Sequence, residues 1–235
     1  MKAETVTLTT KDGGSMQAYV AYPQSDGKAP GLMVFQEAFG VNAHIKALCD
    51  MFAEKGYVAI APELYHRSFE AGFFVPYDRI ADVADARAAM TYETIGDDVT
   101  TTYNWLRECD QVDGDKIASI GYCMGGRVSY FASMTVPVKA SVCYYGGGIA
   151  QDLSGQADKV GTPLLFFWGG EDKNIPREDR TTILEALDTA GKEYINVEIS
   201  DAGHGFSCDE RPSYHKEGSL HALTLTLSFL ESKLA

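Results

Sequence analysis

Ser119-Ile120-Gly121-Tyr122-Cys123-Met124-Gly125-Gly126-Arg127 is the stretch whose reading decides the fold. Lys116 to Ile120 reads as the end of a buried strand, and Met124 to Ser133 can run as a helix. Between them Gly121-Tyr122-Cys123-Met124-Gly125 has the form G-x-C-x-G, a cysteine version of the nucleophile elbow G-x-S-x-G. A strand that turns straight into a helix strains the middle residue and points its side chain out of the turn. Neighbouring chain then passes close to the positions two before and two after, so both are expected to be glycine. The helix N-terminus behind Cys123 offers free N–H groups and a positive dipole end, favouring a thiolate and a developing oxyanion. By itself the motif also suits a buried cysteine at an ordinary strand–helix turn.

Working outward, four strand ends carry conspicuous residues. Glu4–Thr9 and Gln17–Tyr22 alternate in period two around Lys11-Asp12-Gly13-Gly14, an antiparallel hairpin. Gly31–Gln36 reads as a strand buried on both faces and ends at Glu37-Ala38-Phe39-Gly40. Asn42 can cap a helix through about Lys55, and Tyr57–Ala61 is the next strand. An irregular excursion with Phe73, Phe74 and Tyr77 precedes a short helix at Asp78–Met90. A helix at Asp97–Glu108 leads to the elbow strand. Strands at Lys139–Tyr145, Pro163–Trp168 and Tyr194–Ile199 follow, with helices at Pro176–Ala190 and about Ser213–Leu234. Antiparallel strands first, then alternating strands and helices, predict a mostly parallel sheet with helices on both faces. Such a sheet places its chemistry in loops at the carboxyl ends of strands, where Glu37, Cys123, Asp172 and His204 fall.

A nucleophilic cysteine needs a base, and the base needs an orienting group. Of five histidines, His44, His215 and His221 fall in predicted helices and His66 opens the excursion, ordinary packing or surface positions. His204 sits instead in Asp201-Ala202-Gly203-His204-Gly205-Phe206, directly after the last strand. Asp172, in Gly169-Gly170-Glu171-Asp172, suits the orienting acid; Glu171 is its rival, and an Asp there can also be only a helix cap. The chain order Cys123, Asp172, His204 is that of the α/β-hydrolase triad. Oxyanion donors are expected from the Met124 and Ala38 N–H groups. Glu37 is unusual: a carboxylate at the end of a buried strand needs a partner, either the elbow thiol or an arginine such as Arg67 or Arg87.

Length and composition are consistent with one α/β-hydrolase domain over residues 1–235, with no linker, repeat or low-complexity segment. The formal net charge of −13 repels phosphate backbones, so nucleic acid is an unsuitable partner. No apolar segment follows Met1 and Lys2, and no apolar run is long enough to span a bilayer. Five scattered cysteines without a C-x-x-C pair argue against a disulfide framework or structural zinc and for a reducing compartment, the cytoplasm.

These residues together resemble the dienelactone hydrolases (carboxymethylenebutenolidases). The resemblance rests on Glu37-Ala38-Phe39-Gly40-Val41-Asn42, Ala61-Pro62-Glu63-Leu64-Tyr65, Gly121-Tyr122-Cys123-Met124-Gly125-Gly126, Tyr144-Tyr145-Gly146, Gly169-Gly170-Glu171-Asp172 and Gly203-His204-Gly205-Phe206. It implies a cap-less α/β-hydrolase with a Cys-His-Asp triad, and a resting thiol paired with Glu37 until substrate displaces the carboxylate. It also implies a carboxylated unsaturated lactone as the usual substrate and a monomer. A monomer or weak homodimer without cofactor is expected, and no metal, because His204 and Cys208 lack two further ligands for a tetrahedral site. The family usually carries an arginine four residues after the histidine to hold the substrate carboxylate; here that position is Cys208, with Arg211 three residues further on. Phe39, Tyr65, Arg87, Tyr145, Phe206 and Arg211 are the expected substrate contacts. The expected partner is therefore a small ester or lactone, not nucleic acid or membrane. Two alternatives stand beside it: the same thiol acting on thioesters or activated phosphoesters, and a non-hydrolytic ligand-binding or redox-sensing relative.

Overall fold

The computed structural model describes residues 2–25 and 27–235. The expectation drawn from Met1 lies outside them. Eight strands form one sheet in the order β1-β2-β4-β3-β5-β6-β7-β8, mixed and mostly parallel, with helices around it. β1 (Lys2–Thr9) and β2 (Ser15–Tyr22) make the antiparallel hairpin, in register from Lys2 opposite Tyr22 to Thr9 opposite Ser15.

The described chain divides into two compact units, one ending at Ser119 and one starting at Ile120. In the first, β3 (Ala29–Phe35) runs parallel to β4 (Val58–Pro62), and every β4 residue is buried. α1 (Ala43–Glu54) starts because Asn42 Oδ1 accepts from the Ile45 N–H at 3.2 Å. The expected helix at Asp78–Met90 is shorter: a 3₁₀ turn at Ile80–Val83 followed by α2 (Ala84–Ala89). α3 (Tyr92–Glu108) begins five residues before the expected Asp97, because Thr91 and Thr94 close a reciprocal capping box. A charge cluster ties the hairpin turn to the excursion and α3. Arg67 reaches Asp12 at 2.7 Å, Asp98 at 2.8 Å and Asp97 at 3.3 Å, and His66 Nε2 lies 3.1 Å from Asp98. Arg67 is thus committed to three aspartates of its own unit.

β5 (Val112–Tyr122) runs through the division, four residues longer at its start than the expected strand. α4 (Met124–Thr135) and β6 (Ser141–Tyr144) follow, and then α5 (Ile149–Asp152) and a 3₁₀ segment at Ser154–Lys159, neither of which the sequence pattern indicated. β7 (Leu164–Gly169) is buried throughout, as its continuous apolar run requires. α6 (Arg177–Thr189), β8 (Tyr194–Ile199) and α7 (Lys216–Leu234) complete the chain. β6, β7 and β8 pair in parallel, so the loops after all three leave the same edge. Tyr130, Tyr144, Phe166, Phe167, Trp168 and Phe206 make an aromatic core behind those loops. Among the described residues no helix is long and apolar enough to cross a membrane.

Candidate active site

Cys123 stands between β5 and α4 with φ 55° and ψ −117°, a left-handed conformation that a non-glycine residue adopts at a cost of roughly 1–3 kcal/mol. Its N–H donates to the Tyr144 carbonyl at 3.0 Å, anchoring the elbow to the end of β6. A Cβ at Gly121 would lie 1.8 Å from the Gly125 carbonyl oxygen, so the turn cannot close over any side chain there. Gly126 is tight as well: a Cβ there would meet the Tyr144 oxygen at 2.5 Å, so the start of α4 packs closely on the end of β6. The glycine two before the cysteine therefore has the expected steric cause, and the chain that passes so close to it is Gly125.

Two further loops converge on this turn. Gly170 N–H donates to Ile199 O at 2.7 Å and Glu171 N–H to Ala202 O at 2.9 Å, joining the loop after β7 to the loop after β8. A Cβ on Gly169 or Gly170 would come within 2.4 or 2.3 Å of the carbonyls of Ala202 and Ser200. That contact brings Asp172 to His204. Asp172 Oδ2 lies 2.8 Å from His204 Nδ1, while its Oδ1 accepts from the Asn174 N–H at 2.8 Å. His204 Nε2 lies 3.1 Å from Cys123 Sγ. The rival Glu171 is exposed.

The Asp172 side chain is 1% exposed and that of His204 13%. Burial by itself would lower the pKa of the imidazole. The hydrogen bonds to Asp172 and Cys123 and the negative charge on each outweigh it, and His204 is pushed up to about 10. An imidazole that meets a carboxylate through one nitrogen and a sulfur through the other has the geometry of a base with its orienting group.

The glycines flanking His204 are not equivalent. A Cβ on Gly203 would meet nothing within 4 Å, so that position is not sterically required. Gly205 has φ 78°, and a Cβ there would lie 2.1 Å from an Arg211 guanidinium nitrogen. Arg211 thus folds over the histidine loop, half-buried, whereas Cys208 is wholly enclosed. Tyr145 and Phe206 are fully buried in this unit, Tyr145 edge-on to the His204 ring with centroids 5.2 Å apart. In the first unit, Glu37 and Ala38 follow β3 after Gln36 and are buried, and the Ala38 carbonyl accepts the Tyr65 hydroxyl at 2.9 Å. Phe39 and Tyr65 are also buried there, while Arg87 is exposed on α2. Two of the other histidines have structural partners. His66 joins the Asp98 cluster, and His215 Nδ1 caps α7 by accepting from the Gly218 N–H.

The family model described as "Dienelactone hydrolase family" matches residues 16–234. The chain belongs to the dienelactone hydrolase family. A carboxymethylenebutenolidase of Pseudomonas sp. strain P51 is 31% identical over 236 residues, covering 98% of this chain and 96% of that one. A Synechocystis protein assigned as a carboxymethylenebutenolidase is 32% identical over 240 residues, 97% of both chains. The crystal structure of a Klebsiella pneumoniae protein assigned as a dienelactone hydrolase superposes with a TM-score of 0.90 at 28% identity, covering 98% of each chain. This member of the dienelactone hydrolase family is a carboxylic ester hydrolase of the α/β-hydrolase fold. Ser207 is the residue of this region that sequence reasoning passed over. Only its hydroxyl's proximity to Tyr145 singles it out, and no sequence pattern carries that.

Proposed function

We propose that the chain hydrolyses lactones and activated carboxylic esters by acyl transfer to Cys123, with His204 as the proton carrier and Asp172 as its orienting acid. The observation that carries this reading is one imidazole spanning both partners, 3.1 Å to Sγ and 2.8 Å to the carboxylate, on a cysteine held at φ 55°. The Cys123 thiolate attacks the acyl carbon, and the carbonyl π electrons move onto oxygen. The Met124 N–H, at the start of α4, is suited to stabilise that oxyanion. On collapse, the alkoxide leaves with the proton of the His204 imidazolium and a thioester remains on Cys123. Neutral His204 then takes a proton from water, hydroxide attacks the thioester, and the thiolate is released beside a reprotonated imidazole. Asp172 fixes the tautomer with Nε2 toward sulfur. The roles of Glu37 as resting thiol partner and Ala38 as second oxyanion donor are taken from the family resemblance.

In substrate choice, Cys208 stands enclosed where the family usually has an arginine, which favours neutral activated esters and lactones over carboxylated ones. The test is turnover of an aryl acetate with mass spectrometry of the quenched enzyme. The wild type should accumulate an acetyl group on Cys123; Cys123→Ala should neither acylate nor turn over, while keeping the melting temperature of the parent. Wild-type turnover by Cys123→Ala would remove the assignment.

A further inference from the structure

β6 ends at Tyr144, and the next residue, Tyr145, has φ 36°. Cys123 and Tyr145 are the two non-glycine residues with positive φ among the described residues. Three glycines follow Tyr145, so the turn has glycine to hand and yet places a tyrosine at its most strained position. Strain of this kind persists only where the surroundings over-determine the side chain. Here they do. The Tyr145 N–H is held by the Phe167 carbonyl at 2.7 Å, and the ring is fully buried.

Its contacts run along the histidine loop. The ring stands edge-on to His204, with centroids 5.2 Å apart and planes at 60°, and edge-on to Phe206 at 5.4 Å and 70°. Its hydroxyl shares a hydrogen bond of 2.5 Å with Ser207 Oγ. The one residue of this stretch outside these contacts, Gly205, has the positive φ that lets the loop wrap around. Hydrogen bonds at Nδ1 and Nε2 fix the two ends of the imidazole but leave rotation about the line joining them. A ring packed against the imidazole at 60°, tied by its hydroxyl to the same loop, blocks that rotation.

We propose that Tyr145 and Ser207 form a clamp that positions His204, setting the imidazole plane so that Nε2 stays in line with the Cys123 sulfur. Both are positioning residues acting through His204, not substrate contacts. The inference rests on the Cys123–His204–Asp172 reading given under Proposed function.

The experiment uses the full chain with Tyr145→Phe, Ser207→Ala, their combination, and Ser207→Thr. Two rates are measured: turnover of an aryl acetate, and alkylation of Cys123 by iodoacetamide across pH. The second needs the thiol–imidazole pair but no ester substrate. Each hydroxyl deletion should lower kcat and the alkylation rate together by on the order of five- to tenfold, the worth of one hydrogen bond, with KM within about twofold. The combination should be no worse than the weaker single variant, because both remove the same bond. Ser207→Thr, which keeps a hydroxyl, should stay near the wild type. Multiplying effects in the combination, a KM increase at unchanged kcat, or a lowered melting temperature with unchanged alkylation would each overturn the clamp. Failure of the underlying triad reading would show differently: iodoacetamide would not label Cys123 of the wild type, or Cys123→Ala would still turn over.

Discussion

Replacing Asp172 by asparagine tests the electrostatics of the site directly. His204 is raised from 6.5 to about 10, and the difference corresponds to about 5 kcal/mol favouring the imidazolium. Two groups produce that gain against the opposing effect of burial: the carboxylate at 2.8 Å and the sulfur at 3.1 Å. Asparagine keeps the shape and hydrogen-bonding reach of the aspartate but not its charge. If the carboxylate supplies roughly half of that difference, its loss withdraws about 2.5 kcal/mol and lowers His204 by about 2 pH units. The assay is the pH profile of aryl acetate turnover, whose alkaline limb reports loss of the His204 proton. That limb should move down by about 2 pH units in Asp172→Asn while the melting temperature changes little. Turnover at its optimum should also fall, on the order of 10³-fold, because asparagine fails to fix the tautomer with Nε2 toward sulfur. An alkaline limb within about 0.3 pH units of the wild type would refute the reasoning, since the charge at 2.8 Å would then contribute nothing to the proton on His204.

The remaining predictions concern pH, packing and substrate choice. Because the folded-state value of His204 lies above its unfolded one, its charge contributes fully to stability below pH 6.5 and is lost as pH rises through about 10. The stability difference between wild type and His204→Gln in urea melts should therefore shrink across that window, and a difference that grows would contradict the sign. Gly121→Ala should lose at least about 3 kcal/mol or fail to fold, since its Cβ would meet the Gly125 oxygen at 1.8 Å. Gly203→Ala, with open space around it, should stay within about 0.5 kcal/mol of the parent in the same melts. Arg67→Ala leaves the buried Asp98 carboxylate without its guanidinium and should cost about 3–5 kcal/mol, read by chemical denaturation; a loss under about 1 kcal/mol would mean His66 alone suffices for Asp98. Arg211→Gln should depress kcat/KM for a carboxylated lactone by on the order of tenfold or more and leave a neutral aryl ester unchanged; equal losses on both would show a structural role for Arg211.

The sequence by itself determined the strand-turn-helix at Cys123, the hairpin, the buried parallel strands, and which aspartate and histidine stand after strands. These are local signals, carried by glycine spacing, apolar runs and chain order, and they need no knowledge of what packs against what. It also determined α1 through Asn42, but not the start of α3, where a threonine at the third helical position replaces the usual glutamate of a capping box. Nor could α5 and the 3₁₀ segment after it be read, because such short polar helices are held by packing rather than by periodicity. Only the tertiary structure decided between Asp172 and Glu171. That choice follows from the backbone contact of Gly169 and Gly170 with the carbonyls of Ala202 and Ser200, residues some thirty positions away in the chain. The same holds for Arg67, drawn to Asp12, Asp97 and Asp98, and for Ser207, whose only distinction is the hydroxyl of Tyr145. Motifs record the conformations that individual residues must adopt, whereas hydrogen bonds between loops depend on where the sheet delivers their ends. For that reason the turn that presents Cys123 was legible in the chain, and the hydrogen bonds that hold His204 were not.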